Sequence, residues 1–359
     1  MSALQESASE EKKTAEHPGD STLFSGVNWL GDSIMTMPAI REFRRRHPAG
    51  MLAMLSKPAL IPLWKMSPAI DIVIELRPGP DGAFRASTAV RREGFERAFV
   101  MTQSFRSALV PFLAGVPARI GMPGHFRDWM LTAVVSPSAV ESRRHQMFEY
   151  FDLLNVSSDD SGPPLLAMPQ GVEASCRQRI ERLLPRDGKA PLVGVLPGAA
   201  HGPSKCWPGD YFREVVIRLT KDHGCRIALF GSARETVVCA SIACGVEGCA
   251  VDFSGKTSLQ ELAAMLSMCD VVIANDSGGM HLAAAVNTPV VAVFGLTDPG
   301  KTGPIGRGHR ILAAERVPRS RDLTPDSKEA RDALLSVKPG AVLQAALDLL
   351  GHRASSGRS

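Results

Sequence analysis

The 359-residue sequence has no run of about 18 uninterrupted apolar residues, so no segment reads as a membrane-spanning helix. Its first twenty residues, MSALQESASEEKKTAEHPGD, have no apolar core and do not read as a secretory leader. Polar and charged, they are expected to be a disordered tail. No G-x-G-x-x-G follows the first expected strand, which weighs against a nicotinamide dehydrogenase. Ser254-Gly255-Lys256-Thr257 imitates the end of a P-loop, but Ala250 stands where the leading glycine belongs, so a P-loop kinase is not expected. There is no Asp-x-Asp triplet, so a carboxylate pair holding a diphosphate through a metal has no candidate. The seven cysteines are odd in number and scattered; Cys239, Cys244 and Cys249 lie five apart, wider than the usual zinc pairs. They read as reduced, small buried hydrophobes of a cytoplasmic protein rather than disulfides or metal ligands. No internal repeat is visible.

What remains is an ordinary globular composition, 44% hydrophobic and 22% charged, which excludes a collagen-like, coiled-coil or wholly disordered chain. The length suits two domains. Net charge is +4 but uneven: residues 1–20 carry two lysines against five acids, and residues 21–157 carry 16 Lys and Arg against 11 Asp and Glu. A mildly basic first half suits an anionic partner or an anionic membrane surface; nothing requires nucleic acid, and none is expected.

Apolar runs at 22–29, 51–56, 70–76 and 97–102 predict buried strands in the first half, and 145–154 predicts a helix. SSDDSGPP (157–164) reads as a linker. The second half alternates strictly. Strands are expected at 191–198, 225–231, 249–255, 271–277 and 289–295, with helices between them. Such alternation means a parallel sheet covered on both faces. The expectation is an α/β protein of two doubly wound, Rossmann-like domains facing each other across a cleft, with ligand outside the carboxyl ends of the strands. The expected divisions are a tail (1–20), a first domain (21–165), a second domain (166–335) and a terminal helix and tail (336–359).

Three segments can carry chemistry. Asn28-Trp29-Leu30-Gly31-Asp32 joins a strand to a helix. Asp32 reads either as an acid complementing the helix start or as a base facing the cleft, and Gly31 as a close backbone approach or a positive-φ turn. Pro197 to Pro208 is a small-residue loop with His201, Ser204 and Lys205; it reads as an anion cradle or as a loop with a solvated lysine. Asn275-Asp276-Ser277-Gly278-Gly279-Met280-His281 again leads from strand to helix, where free backbone N–H groups can hold a pyrophosphate.

In order, NWLGDSIMTMPAIREFRRRHP (28–48), PGAAHGPSKCWP (197–208), FGSARE (230–235), the stretch 253–295 and SVKPGAVLQAALDLL (336–350) resemble the glycosyltransferase family of ADP-heptose:lipopolysaccharide heptosyltransferases, the heptosyltransferase II branch in particular. The resemblance runs from about 22 to 350. It implies a GT-B architecture and an inverting, metal-independent transfer with no cofactor. The implied donor is ADP-heptose or a similar nucleotide sugar, and the implied acceptor a lipid-anchored lipopolysaccharide core. A cytoplasmic location follows, with peripheral contact at the inner membrane. It further implies Asp32 as catalytic base, Lys205 on phosphate, Ser277, Gly278, Gly279 and His281 as the diphosphate turn, Asp276 on the donor sugar, Glu235 on the ribose and Thr257 beside the base. Gly31, His201 and Ser204 join the donor-binding set. Arg44, Arg45, Arg46, Arg119 and Arg127 are candidates for acceptor carboxylates and phosphates; Arg44–Arg46 read equally as cations ending a helix. The chain departs from the family in its first twenty residues, in Cys206 where a basic residue is common, and in lacking a cysteine near 315–335. Those departures leave room for another nucleotide sugar or acceptor. A binding protein that does not transfer is a further alternative, one to which Asp32 would be superfluous.

Overall fold

The protein is described by a computed structural model covering residues 20–124, 126–136, 144–159, 162–185, 190–200, 202, 205–295, 297–314 and 328–356. Its first half runs β1 (Thr22–Ser25), α1 (Leu30–Arg46), β2 (Leu52–Ser56), α2 (Ile61–Trp64), β3 (Ile72–Glu75), α3 (Pro80–Glu93), β4 (Arg97–Val100), α4 (Phe105–Ala114), β5 (Ala118–Gly121), β6 (Ala133–Val134) and α5 (Met147–Leu154). The second runs α6 (Val172–Leu183), β7 (Leu192–Leu196), α7 (Gly209–Lys221), β8 (Arg226–Leu229), α8 (Thr236–Ala243), β9 (Ala250–Asp252), α9 (Leu259–Ser267), β10 (Val271–Asn275), α10 (Gly278–Ala285), β11 (Val290–Phe294), α11 (Pro299–Thr302), β12 (Arg310–Ala313), α12 (Lys328–Ser336) and α13 (Pro339–Ser356).

Each half builds one six-stranded parallel sheet. The orders are β3-β2-β1-β4-β5-β6 and β12-β11-β10-β7-β8-β9. Counted within each half, both are the doubly wound order 3-2-1-4-5-6. The fold is therefore duplicated where the sequence shows no repeat, because the winding is set by the strand–helix rhythm and not by particular residues. β2, β7, β10 and β11 are buried at every position, as central parallel strands covered by helices must be. α7 presents one apolar face, with Phe212, Val215, Val216 and Leu219 buried together, whereas α1 and α10 are buried over runs of consecutive residues, Ser33 to Ile40 and Met280 to Ala285. β5, β6 and β12 lie outside the expected strands. They are only two to four residues long and half-buried or exposed at most positions, so no apolar run announces them.

The halves meet through their helices. α1 packs against α10, and one apolar cluster takes Ile34, Met35 and Met37 of α1 together with Met280 and Leu282 of α10. The approach is close because two glycines allow it. A Cβ at Gly31 would lie 2.7 Å from the His281 ring, and one at Gly278 would lie 2.8 Å from the Leu30 Cβ. Gly31 thus marks a close backbone approach, not a positive-φ turn. Of the expected linker, residues 157–159 and 162–164 carry no helix or strand; 160 and 161 lie outside the described residues, as do 1–19. Among the described residues, no helix is long and apolar enough to cross a membrane.

All seven cysteines are free. Cys176, Cys225, Cys239 and Cys269 are buried as expected, and burial pushes the Cys239 thiol up to about 12. Cys244 is exposed, and Cys206 and Cys249 half-buried, so the expectation of small buried hydrophobes fails for those three. Cys244 is the C-cap of α8, and Cys249 precedes β9, positions at the surface end of their elements.

Candidate active site

A doubly wound sheet opens a crevice where its strand order reverses, outside the carboxyl ends of the strands. In the first sheet that point lies between β1 and β4, in the second between β7 and β10. A cavity stands at each. The one beyond β7 and β10 has a volume of about 370 Å³ and takes one wall from the α1 start of the other half. The one beyond β1 and β4 has about 240 Å³. Trp29 and Asp32 line both.

The larger cavity is built from three strand ends. β10 runs into Asp276 and Ser277, and α10 begins at Gly278. Ser277 is extended and its side chain makes no capping bond. The opening amides of α10 have no intrahelical acceptor, so they are available to an anion, aided by the helix dipole. Asp276 is 5% exposed and accepts hydrogen bonds from Lys205 Nζ (2.5 Å) and Thr297 Oγ1 (2.8 Å). Lys205 is held in place from behind. Trp207 N donates to Asn275 Oδ1 (3.0 Å), Asn275 Nδ2 donates to Pro197 O (2.7 Å), and Trp207 Nε1 donates to Val337 O (2.9 Å). The segment just before α13 thereby anchors the loop that carries the lysine.

His281 is buried beside Gly31, with no hydrogen-bond partner on Nδ1. Burial drives its pKa down to about 4, against the opposing pull of Asp276, and His145 and Lys205 lower it further. The ring is therefore neutral at pH 7. Charge facing the opening of α10 comes from Lys205, not from this histidine.

The far wall carries Glu235 and Thr257 with the apolar side chains Phe230, Leu259 and Leu262. Glu235 is the closing acid of a capping box: its Oε2 accepts from Ser232 N at 2.5 Å. Its Oε1 sits over Gly198, where a Cβ would collide at 1.6 Å. A second capping box, Ser258 with Glu261, opens α9 directly after Thr257 and fixes that corner.

The smaller cavity is lined by Asn28, Thr102, Gln103, Gln146, Glu149 and Tyr150 around Asp32. Asp32 is the third residue of α1, whose N-cap is Trp29, so it sits in the first turn and is not the cap. Tyr150 is buried, and burial first and the Asp32 charge second raise its pKa well above the ordinary phenol value.

Ten residues singled out from the sequence line the larger cavity together: Gly31, Asp32, Lys205, Glu235, Thr257, Asp276, Ser277, Gly278, Gly279 and His281. His201 and Ser204 lie outside the described residues. The arginines are not brought to either cavity. Arg44 pairs with Asp71, and Arg45 and Arg46 with Glu42, at the far end of α1. Arg119 is spent on the carbonyls of Met130 and Val116. Arg127 is fully buried and donates to Met122 O. They are structural cations at their present positions. Asn275, Trp207 and Phe230 lie within the segments singled out from the sequence, but their roles do not follow from it, and Thr297 lies outside those segments. The S-x-x-E spacing of 232–235 and 258–261 was a readable sign of the two capped corners; nothing local announces the Asn275–Trp207 clamp, whose partners are 68 residues apart. Among the described residues, no group of three or more His, Cys, Asp and Glu could hold a metal ion.

Residues 83–330 match the model of glycosyltransferase family 9 (heptosyltransferase). The chain is 29% identical over 306 residues to lipopolysaccharide heptosyltransferase 2 of Escherichia coli K12, covering 81% of this chain and 87% of that protein. It is 30% identical over 305 residues to lipooligosaccharide heptosyltransferase 2 of Haemophilus influenzae, with the same two coverages. The solved structure of the E. coli ADP-heptose lipopolysaccharide heptosyltransferase II superposes with a TM-score of 0.80 at 25% identity, over 94% of this chain and all of that one.

Proposed function

The chain belongs to glycosyltransferase family 9, the heptosyltransferases, and from that premise we propose that it transfers heptose from ADP-heptose to a sugar hydroxyl of the lipopolysaccharide core. The observation that carries the reading is the position of Asp32 in the partition between the two cavities, one at each switch point. A group-transfer enzyme needs donor and acceptor on opposite sides of one reacting centre.

The larger cavity takes the donor. The adenosine lies against Phe230, Leu259 and Leu262, with Thr257 beside the base and Glu235 Oε1 reaching the ribose. The diphosphate lies on Ser277 and the amides that open α10. Lys205 moves from Asp276 onto the phosphates, and Asp276 turns to the heptose hydroxyls. His201 and Ser204 belong to the same donor-binding set. The smaller cavity takes the acceptor hydroxyl among Asn28, Gln103 and Gln146. Asp32 accepts its proton as the oxygen bonds to the anomeric carbon on the face opposite ADP, and the bond from that carbon to the diphosphate oxygen breaks. The configuration inverts. Charge growing on the departing ADP is met by Lys205 and the helix start, without a metal. A neutral His281 leaves room for the phosphate without adding a second cation. The lipid-anchored acceptor places the work at the cytoplasmic face of the inner membrane, with peripheral contact.

Purified protein mixed with ADP-heptose and a truncated, water-soluble core acceptor should release ADP and add one heptose to the acceptor by mass. Release of ADP without any gain in acceptor mass would defeat the transfer reading, and turnover abolished by a chelator would defeat its metal-free form.

A further inference from the structure

α5 brings Gln146, Glu149 and Tyr150 to the smaller cavity, and Thr302, the last residue of α11, lines the larger. The first helix belongs to the first half of the chain and the second to the other. Gln146 is the N-cap of α5, yet its side chain makes no capping bond. The amides that open a helix have no intrahelical acceptor and must find one elsewhere. Gln146 N donates to Lys301 O at 2.9 Å, and Met147 N donates to His145 Nδ1 at 3.2 Å. An imidazole that accepts at Nδ1 carries its proton on Nε2. His145 Nε2 lies 3.0 Å from Gly303 O, which can only accept. The tautomer is thereby fixed, and the ring accepts from α5 on one side and donates to the second half on the other. Two hydrogen bonds clasp residues 145–146 to residues 301–303. The segment that offers the carbonyl is itself close-packed: a Cβ at Gly303 would lie 2.6 Å from Pro299 O and 3.3 Å from Ile311 Cδ1.

We propose that His145 is a positioning residue of the transfer: its clasp on Gly303 holds α5, and with it the acceptor side of the reacting centre, in register with the donor turn. His145 lines neither the larger nor the smaller cavity, so it acts through its neighbours. Gln146 beside it faces the acceptor cavity, and Thr302 beside Gly303 faces the donor cavity. α5 also packs along α1, the helix that carries Asp32, with Met147, Tyr150 and Phe151 in one apolar cluster with Ile34 and Met35. The contact between α1 and α10 is apolar and non-directional, whereas the clasp is made of hydrogen bonds, which are directional. Register matters because a misplacement of about 1 Å at the reacting atoms can cost roughly 100-fold in rate. The inference rests on the proposed assignment of donor and acceptor to the two cavities.

The test is steady-state kinetics of the whole protein on ADP-heptose and the water-soluble core acceptor, beside ADP affinity by calorimetry. His145→Ala should lower kcat/KM for the acceptor by on the order of ten- to a hundred-fold and leave ADP affinity near wild type. His145→Gln, whose amide nitrogen can stand in for Nε2, should recover most of that loss. His309→Gln is the control for damage to the fold, because that ring accepts from Val290 N, a bond within the second half. It should lower the melting temperature and leave kcat/KM unchanged. Gly303→Ala strikes the clasp from its other side and should act like His145→Ala. The double variant His145→Ala/Gly303→Ala should lose less than the product of the two single losses, since both break one contact. Wild-type kinetics in His145→Ala overturns the proposal, as does a glutamine variant no better than alanine, a double variant whose losses multiply, or a loss of ADP affinity as large as the loss of turnover. Should His145→Ala not fold, Gly303→Ala carries the same expectation, and wild-type kinetics in it overturns the clasp. A wild type that binds ADP and moves no heptose overturns the transfer reading, and the role of His145 falls with it. Transfer by wild type and clasp variants alike overturns the role of His145 alone.

Discussion

Gly31→Ala separates two forces that act in opposite directions. Gly31 lies in the first turn of α1, where alanine is the better helix former by roughly 0.5–1 kcal/mol. Its new Cβ would meet three atoms of the His281 ring at 2.7, 3.3 and 3.6 Å, against an optimum near 3.5–4.0 Å between carbons. The ring is 4% exposed, and the packing of Met280 and Leu282 of α10 in one apolar cluster with Ile34, Met35 and Met37 of α1 resists the helices moving apart. Overpacking of this kind costs about 1–3 kcal/mol, so the clash should outweigh the helix gain. Gly351→Ala is the matched control. Gly351 lies in α13 with nothing near its would-be Cβ, and should show the helix gain alone. The two variants should therefore differ by about 1–3 kcal/mol, with Gly31→Ala the less stable. Thermal unfolding reads this directly, at roughly 2–4 °C per kcal/mol for domains of 150–250 residues. ADP release should fall with Gly31→Ala and not with Gly351→Ala, since Asp32 is the next residue. If Gly31→Ala melts at or above the control, α1 and α10 do not abut in solution, and the shared wall of the two cavities goes with them.

Asp32→Asn should lower turnover by roughly 10²–10⁴-fold while leaving donor affinity, measured by calorimetry, near wild type. Lys205→Ala should weaken both donor binding and turnover. It should also destabilise the fold by about 1–3 kcal/mol, because Asp276 is left buried with Thr297 as its remaining partner. Lys205→Ala/Asp276→Asn should recover most of that stability and none of the turnover; a double variant no more stable than the single refutes the ion pair. His281 predicts a pH dependence. Its folded pKa of about 4 lies below the unfolded value near 6.5, so protons favour the unfolded chain. Its contribution is complete above pH 6.5 and lost as pH falls towards 4, a range worth up to about 3 kcal/mol. His281→Gln should flatten the melting temperature between pH 6.5 and 4 relative to wild type; an unchanged slope assigns the acid loss elsewhere, His145 and His309 being the next histidines whose pKa burial lowers.

What the sequence made legible were local events. A fully buried strand followed within a few residues by glycine and then a helix occurs at Gly31, Gly198 and Gly278, and each does line the larger cavity. The strand–helix rhythm gave both sheets and their parallel sense, because that rhythm admits few windings. The short strands β5, β6 and β12 were not legible, since a strand of two to four half-exposed residues has no periodicity to read. Nor were the arginines. Charge in a sequence does not say which carbonyls a guanidinium will meet: Arg119 is held by the carbonyls of Met130 and Val116, and Arg127 reaches one, that of Met122, with its Nε and Nη1 left unpartnered. The glycine at 31 was legible as special, but the choice between a turn and a close approach depended on a histidine 250 residues away.

The Lys205–Asp276 pair links these observations to chemistry. A lysine free in a small-residue loop would sample many positions, and each one lost on binding would cost side-chain entropy. Here the loop is pinned by Trp207 and Asn275, and the ammonium is held on a carboxylate at 2.5 Å. That carboxylate is bonded in turn to Thr297, next to the opening of α10. A diphosphate arriving at that opening competes for the lysine with a single buried acid. It presents more negative charge than the acid does, and the acid retains its threonine when the lysine leaves. In the proposed donor pose the exchange moves one cation a short distance and strands no charge, because that pose puts the hydroxyls of the donor sugar within reach of Asp276. A donor without those hydroxyls would leave Asp276 buried and half-satisfied. ADP-linked deoxy sugars should therefore bind more weakly than ADP-heptose in wild type, and this discrimination should shrink in Asp276→Asn. Discrimination that is unchanged in Asp276→Asn would place sugar recognition on other residues.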